Sequence, residues 1–459
     1  MKNSLILLFA VALLGAMSLA VPAASHHSSD ATGEPVRLRV DVDRAVLPAG
    51  STEKAIVKIG LDCVRLPRRE HRAPVNLALV IDRSGSMAGA KIAKAREAAL
   101  EAVRRLGPDD VVALIVYDTN VQTLIPAQRL GDGRRLARAI HGIEAGGNTA
   151  LYGGVSRGAA EVRRFLESGH AINRVVLLSD GLANVGPSSP EELGRLGASL
   201  MKEGISVTTV GLGLGFNEDL MTRLAQRSDG NTYFVENSAD LPGIFAAELG
   251  DVLNVVARRV VIEIQFPSGV RPLCFVGRDG TIRGQRAELT LNQLYGGQEK
   301  FALIEVEVSP SQPGVEREIA RASVSYEDPA TQRSARLSAH RTVQFSASRA
   351  SVVSSADHKV QADYAANIMA VAKDEAVALV DANRRDDAAA LLRQRSEALQ
   401  AIGSAYANPA VQKVAAAAAP EADRVAREGL GNAERKAYRA ESAQVKSQQS
   451  APDQVQDRR

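Results

Sequence analysis

The chain has 459 residues, enough for two or three domains. Apolar residues make up 45% and charged residues 24%, as in ordinary globular proteins, and the absence of tryptophan requires aliphatic cores. A formal net charge of +3 gives no argument for nucleic acid or an anionic membrane as partner.

Residues 1–24 have the form of a secretory signal peptide. Lys2 supplies the basic start, Leu5 to Leu14 the apolar centre, and Ser18, Ala20, Ala23 and Ala24 the small residues of a cleavage region. An uncleaved anchor is the rival reading. No other stretch is long and apolar enough to cross a bilayer, so the expected location is periplasmic or secreted, with no stable membrane span after cleavage. Residues 25–74 begin with a Ser-, His- and Gly-rich stretch to 35, expected to be disordered, in which His26-His27 reads as solvated rather than metal-binding. Period-two alternation then predicts strands at Val36, Leu38, Val40 and Val42 and at Ala55, Val57, Ile59 and Leu61. Pro67 to Pro74 reads as a charged linker.

From 75 to 254 strands and helices alternate, which implies a mostly parallel, doubly wound sheet covered on both faces. The strands are expected at Val75–Ile81, Asp110–Tyr117, Val121–Ile125, Arg174–Asp180, Ile205–Leu212 and Asn231–Val235. Helices are expected at Met87–Leu106, Arg134–Ile143, Leu151–Leu166, Pro190–Glu203, Glu218–Arg227 and Asp240–Leu253. Residues 255–346 return to period two and read as β-rich, either one sandwich with 36–66 or an independent piece. The Ala-rich, charge-balanced stretch 350–441 reads as helical. Val360–Val380 and Asp386–Ile402 form an antiparallel pair, and a third helix from Asn408 to Gly429 is expected to break near Pro420. Residues 442–459 are polar and expected to be a disordered tail. The two cysteines, Cys63 and Cys274, lie in strand-like segments on either side of the α/β region. Export would permit a disulfide between them, and two free buried thiols are the alternative.

The chemistry concentrates at strand ends. Asp82-Arg83-Ser84-Gly85-Ser86 closes the first aliphatic strand with one carboxylate and two hydroxyls in a turn, the place where open α/β sheets bind ligands. Gly146-Gly147-Asn148-Thr149 puts a threonine in a glycine-rich turn before a helix. Val175 to Gly181 ends another buried strand with Asp180. Crowded hard oxygen donors point to a hard divalent cation, Mg²⁺ above all. Gly211-Leu212-Gly213-Leu214-Gly215 could be read as a nucleotide loop, but no basic phosphate ligand follows it.

DxSxS, then Thr, then Asp, in this order and on these elements, resembles the metal-ion-dependent adhesion site of von Willebrand factor type A domains, and the resemblance covers 75–254. The whole chain is similar, more weakly, to exported bacterial proteins related to the inter-alpha-trypsin-inhibitor and calcium-activated-chloride-channel-like proteins with that domain. The resemblance implies a metal site of Asp82, Ser84, Ser86, Thr149 and Asp180. Ser84 and Ser86 would be direct ligands of Mg²⁺ (or Mn²⁺ or Ca²⁺), Thr149 direct or water-bridged, and Asp82 and Asp180 would hold coordinating waters. The last position would go to an Asp or Glu of a protein partner. Asn148 departs from the family's usual Gly or Thr, while Thr149 keeps its place.

The function expected is metal-dependent protein binding, with no catalytic residues: no His or Glu stands beside the site as a general base, and His141 and His170 read as surface residues. Alternatives are an adaptor for an ATP-driven, chelatase-like complex, against which the signal peptide argues, and a scaffold with incidental metal.

Overall fold

The computed structural model describes residues 35–65, 72–166 and 171–449. The expected signal peptide, the stretch 25–34, His170, most of the charged linker and the end of the tail from 450 lie outside the described residues.

The chain opens with β1 (Val36–Val42), β2 (Val46–Pro48) and β3 (Glu53–Cys63). The α/β unit follows as β4 (Val75–Asp82), α1 (Ala90–Arg105), β5 (Val111–Tyr117), β6 (Val121–Arg129), α2 (Arg134–His141), α3 (Leu151–Arg163) and β7 (Ile172–Ser179). It continues through α4 (Pro190–Lys202), β8 (Ile205–Leu212), α5 (Glu218–Arg227), β9 (Thr232–Val235) and α6 (Leu241–Val252). Its sheet runs β6-β5-β4-β7-β8-β9, parallel except for β6 at the edge. β4, β5 and β8 are buried at every residue, which explains why they are mostly apolar, with Asn76, Ser206, Thr208 and Thr209 buried among the apolar side chains. Leu77, Leu79 and Ile81 of β4 pack with α1 and α6 on one face, while Ala78 and Val80 pack with α3 on the other. β4 lies between β5 and β7, so the winding reverses at β4, and ligands bind at such switch points.

β10 (Val255–Gln265), β11 (Val270–Val276), β12 (Thr281–Arg283), β13 (Arg286–Tyr295), β14 (Glu299–Val308), β15 (Glu316–Glu327) and β16 (Ser334–Ser346) complete two further sheets. One is four-stranded, β1-β3-β14-β11, and the other six-stranded, β12-β13-β10-β15-β16-β2. Their inner faces share a core that includes Val40, Ile59, Val260, Ile262, Ile304, Val324 and Phe345. The α/β unit is therefore inserted between β3 and β10 of one sandwich.

The C-terminal helices are α7 (Arg349–Ser354), α8 (His358–Asp381), α9 (Arg385–Ala405), α10 (Pro409–Glu428) and α11 (Asn432–Ser447). α8, α9 and α10 share an alanine-rich core, and Val360 of α8 packs on Ile56, Phe301 and Leu303 of the four-stranded sheet.

Three expectations are corrected. α10 runs through Pro420 without a break. The region expected to be disordered from 442 is helical to Ser447. Ser442 is buried and donates to the Ala370 carbonyl at 2.7 Å, and Lys446 pairs with Asp374. Polar residues that find fixed partners order this segment without an apolar stripe. Finally, Cys63 and Cys274 are both free, the first buried and the second exposed. They sit on different strands of one sheet: Asp62, next to Cys63, pairs with Glu299 and Cys274 pairs with Glu305. Six residues of β14 separate those rungs, about 20 Å at strand rise, far beyond the roughly 7 Å that a disulfide spans between Cα atoms.

Candidate metal centre at the carboxyl rim of the α/β sheet

Asp82 is the last residue of β4 and is fully buried. Its Oδ1 accepts from the Ser84 backbone N–H at 2.8 Å and its Oδ2 from the Ser179 hydroxyl at 2.7 Å. Burial pushes its carboxyl up, and the hydrogen bonds from Ser179 and Ser84 pull the other way. The turn after Asp82 folds Ser84 and Ser86 onto one side, with their Oγ atoms 3.1 Å apart. Neighbouring ligands of an Mg²⁺ octahedron lie ~3 Å apart, given metal–oxygen distances of ~2.1 Å. Ser86 Oγ also donates to Asp180 Oδ1 at 2.7 Å.

Thr149 arrives through a different route. α3 packs flush on the sheet because Gly154 and Gly158 have no side chain. A Cβ there would lie 2.7 Å from Tyr117 Cδ1 and 2.6 Å from Val80 Cγ2, respectively. The turn before α3 is then laced to the Asp82–Ser86 turn: Gly85 N–H donates to the Gly147 carbonyl at 3.0 Å and Gly146 N–H to the Arg83 carbonyl at 2.7 Å. The side chain of Asn184 accepts from Thr149 N–H at 2.8 Å, which ties in the loop after β7.

These loops converge beside Gly181. A Cβ on Gly181 would lie 3.2 Å from Thr149 Oγ1, 3.4 Å from Ser86 Oγ and 3.8 Å from Ser84 Oγ. Three hydroxyls therefore lie within 4 Å of the one position that the missing Gly181 side chain leaves open, and Asp82 and Asp180 hydrogen-bond to Ser84 and Ser86 of the same cluster. No group of three His, Cys, Asp or Glu side chains among the described residues could hold a metal. A cation held at this rim would take its donors largely from hydroxyls, which suits a hard ion.

All five residues singled out by the motif meet at this rim. Sequence reasoning missed Ser179, Asn184, Gly181 and above all Lys91, whose ammonium pairs with Asp180 Oδ2. One signal for Lys91 was available: it lies in the first turn of α1, where no acidic residue stands and where a cation opposes the helix dipole. His141 is exposed at the end of α2. The glycine-rich loop after β8 packs on the same rim, since a Cβ on Gly215 would lie 2.7 Å from the Asp180 carbonyl oxygen.

A von Willebrand factor type A domain profile matches residues 76–247. The chain is 28% identical over 272 residues to an uncharacterized protein of Synechocystis sp., a match covering 57% of this chain and 64% of that one. It is 28% identical over 180 residues to the inter-alpha-trypsin inhibitor heavy chain H3 of Homo sapiens, covering 37% and 20%. Each match spans less than two thirds of the relative's length. Among solved structures, a von Willebrand factor type A protein from Catenulispora acidiphila superposes with a TM-score of 0.65 at 17% identity, covering 87% of this chain and 90% of that one. The ArnB paralog VWA2 from Sulfolobus acidocaldarius gives 0.59 at 14%, covering 90% and 98%. These two likenesses establish the fold.

Proposed function

We propose that this chain, which carries a von Willebrand factor type A domain, is an exported recognition protein that binds a protein partner through a divalent cation. Domains of this family mediate protein–protein interaction and commonly bind a divalent metal. The observation that carries the reading is the convergence of the Ser84, Ser86 and Thr149 hydroxyls on the space beside Gly181. Ser84 and Ser86 would hold Mg²⁺ (or Mn²⁺ or Ca²⁺) directly, Thr149 directly or through water, and Asp82 and Asp180 would hold its waters. The cation supplies a Lewis-acidic centre for a carboxylate. Neutral hydroxyl ligands leave much of its charge uncompensated, which favours an acidic side chain from the partner at the remaining position.

Binding rather than catalysis is proposed because the hydrogen bonds of the site bring in no histidine or glutamate among the described residues, and Lys91 is committed to Asp180. Export is proposed from the pattern of residues 1–24. No helix among the described residues is long and apolar enough to cross a membrane. A pull-down from envelope extract tests the reading. A partner should be retained in Mg²⁺ and lost in EDTA or with Asp82→Ala, and retention unchanged by EDTA contradicts it. N-terminal sequencing of the mature protein should find it starting near residue 25.

A further inference from the structure

Among the described residues the large apolar side chains that stand exposed are Val64, Leu182, Leu214, Val315 and Val445. Single surface apolar residues are ordinary and need no explanation. Val64 lies just past the end of β3, Val315 in the turn before β15 and Val445 on α11. Leu182 and Leu214 are different, because both stand on the rim just described. Leu182 is two residues past Asp180 and 60% exposed. Leu214 is 45% exposed between Gly213 and Gly215. That loop is pinned to the site at both glycines. A Cβ on Gly215 would lie 2.7 Å from the Asp180 carbonyl oxygen, and one on Gly213 would lie 3.9 Å from the ammonium of Lys91, which pairs with Asp180. Two stretches of the rim are bare: Ala88, Gly89 and Ala90 on one side and Gly146 and Gly147 on the other are exposed and small, while the polar Asn148 and Asn184 are exposed beside Thr149 and Leu182.

We propose that Leu182 and Leu214 are the specificity determinants of this surface, and that its partner is a protein segment presenting a carboxylate with apolar side chains immediately beside it. The inference rests on the metal-dependent reading above. With Asp180 already neutralised by Lys91, a bound cation would leave the centre of the rim positive and select an acid. The two leucines stand on its Asp180 side, where they are buried only when something apolar covers them. Small residues elsewhere leave room for a protruding segment to bring both features down together.

The test uses the full mature chain and three synthetic peptides of equal length, centred on Leu-Asp-Leu, Ser-Asp-Ser and Leu-Asn-Leu, titrated in Mg²⁺ and in EDTA. The Leu-Asp-Leu peptide should bind about tenfold more tightly than Ser-Asp-Ser, the gain expected from burying part of two leucine side chains. Binding should vanish in EDTA and with Leu-Asn-Leu. The double variant Leu182→Ser/Leu214→Ser alters only exposed side chains. It should bind Mg²⁺ as the parent does and bind both aspartate peptides equally. If Mg²⁺ binds but the two aspartate peptides bind the parent equally, if neither binds, or if the double variant keeps the preference, the inference is overturned and the metal reading stands. If Mg²⁺ itself does not bind, the metal reading fails, and this inference with it.

Discussion

At the scale of single residues, the rim depends on what is missing from Gly181 and on what Lys91 adds. The Lys91 ammonium neutralises Asp180 next to the space that the hydroxyls surround. A bound cation would feel that positive charge as repulsion. Lys91→Met should therefore raise Mg²⁺ affinity by roughly threefold to tenfold, the size expected of one partly screened charge nearby. Isothermal titration checks this, and a fall in affinity would contradict the assigned role. Asp82, Ser84, Ser86, Thr149 and Asp180 were legible in the sequence because each follows a recognisable strand or precedes a recognisable helix. Ser179, Asn184 and Lys91 were not, because their roles are set by hydrogen bonds between loops that only the sheet order brings together.

At the scale of elements, α11 is the part whose role the sequence hid. Its buried Lys436 donates to Glu218 at 2.5 Å and to the Phe216 carbonyl at 2.6 Å, and Arg435 and Arg439 reach Asp219. The helix thereby straps the C-terminal bundle to the start of α5, just behind the loop that carries Leu214. Lys436→Met leaves the buried Glu218 carboxylate with Arg435, 3.0 Å away, as its remaining cation, so the expected loss is about 1–3 kcal/mol, below that of a buried pair broken outright. Denaturant unfolding should show that loss, and the double variant Lys436→Met/Glu218→Gln should recover part of it. A single variant as stable as the parent would show that the strap contributes nothing. The α/β elements were legible because buried parallel strands are mostly apolar runs and α4 and α5 open on capping side chains. Ser189, for example, accepts from Glu192 N–H in a capping box that fixes the start of α4. The continuity of α10 and the end of α11 were not, because Pro420 signals a break and the polar side chains from 442 give no apolar period.

At the scale of the whole molecule, a buried polar network joins the inserted α/β unit to the sandwich. Arg174 of β7 is fully buried and donates to Gln293 at 2.7 Å and to Tyr295, both on β13. Glu248 of α6 lies 3.6 Å from it and accepts from Thr208, Asn231 and Tyr233. Asp251, one turn further along α6, accepts from Gln298 at 3.0 Å. Burial, reinforced by the nearby Glu248, pushes its carboxyl up to about 6. The folded state then holds a proton that the unfolded state releases near pH 4, so this group's contribution to stability falls as pH rises from about 4 to about 6. At neutral pH the penalty is about 3 kcal/mol. Asp251→Asn should therefore raise the melting temperature at pH 7.5 and leave it nearly unchanged at pH 4. A variant less stable than the parent at pH 7.5 would contradict the sign. That the β segments before and after the α/β unit share one core was an open choice in the sequence, because β pairing across an insertion of this length leaves no local pattern.

The central claim is that the space beside Gly181 holds a divalent cation on serine and threonine hydroxyls. It is tested most directly by isothermal titration of Mg²⁺ into the parent chain and into Gly181→Ala. The alanine methyl would stand 3.2 Å from Thr149 Oγ1 and 3.4 Å from Ser86 Oγ, crowding two of the hydroxyls that would ligate the cation. The account predicts one Mg²⁺ site in the parent and at least a tenfold weaker one (about 1.4 kcal/mol or more) in a variant that still folds. No binding to the parent, or equal binding to both, would contradict it.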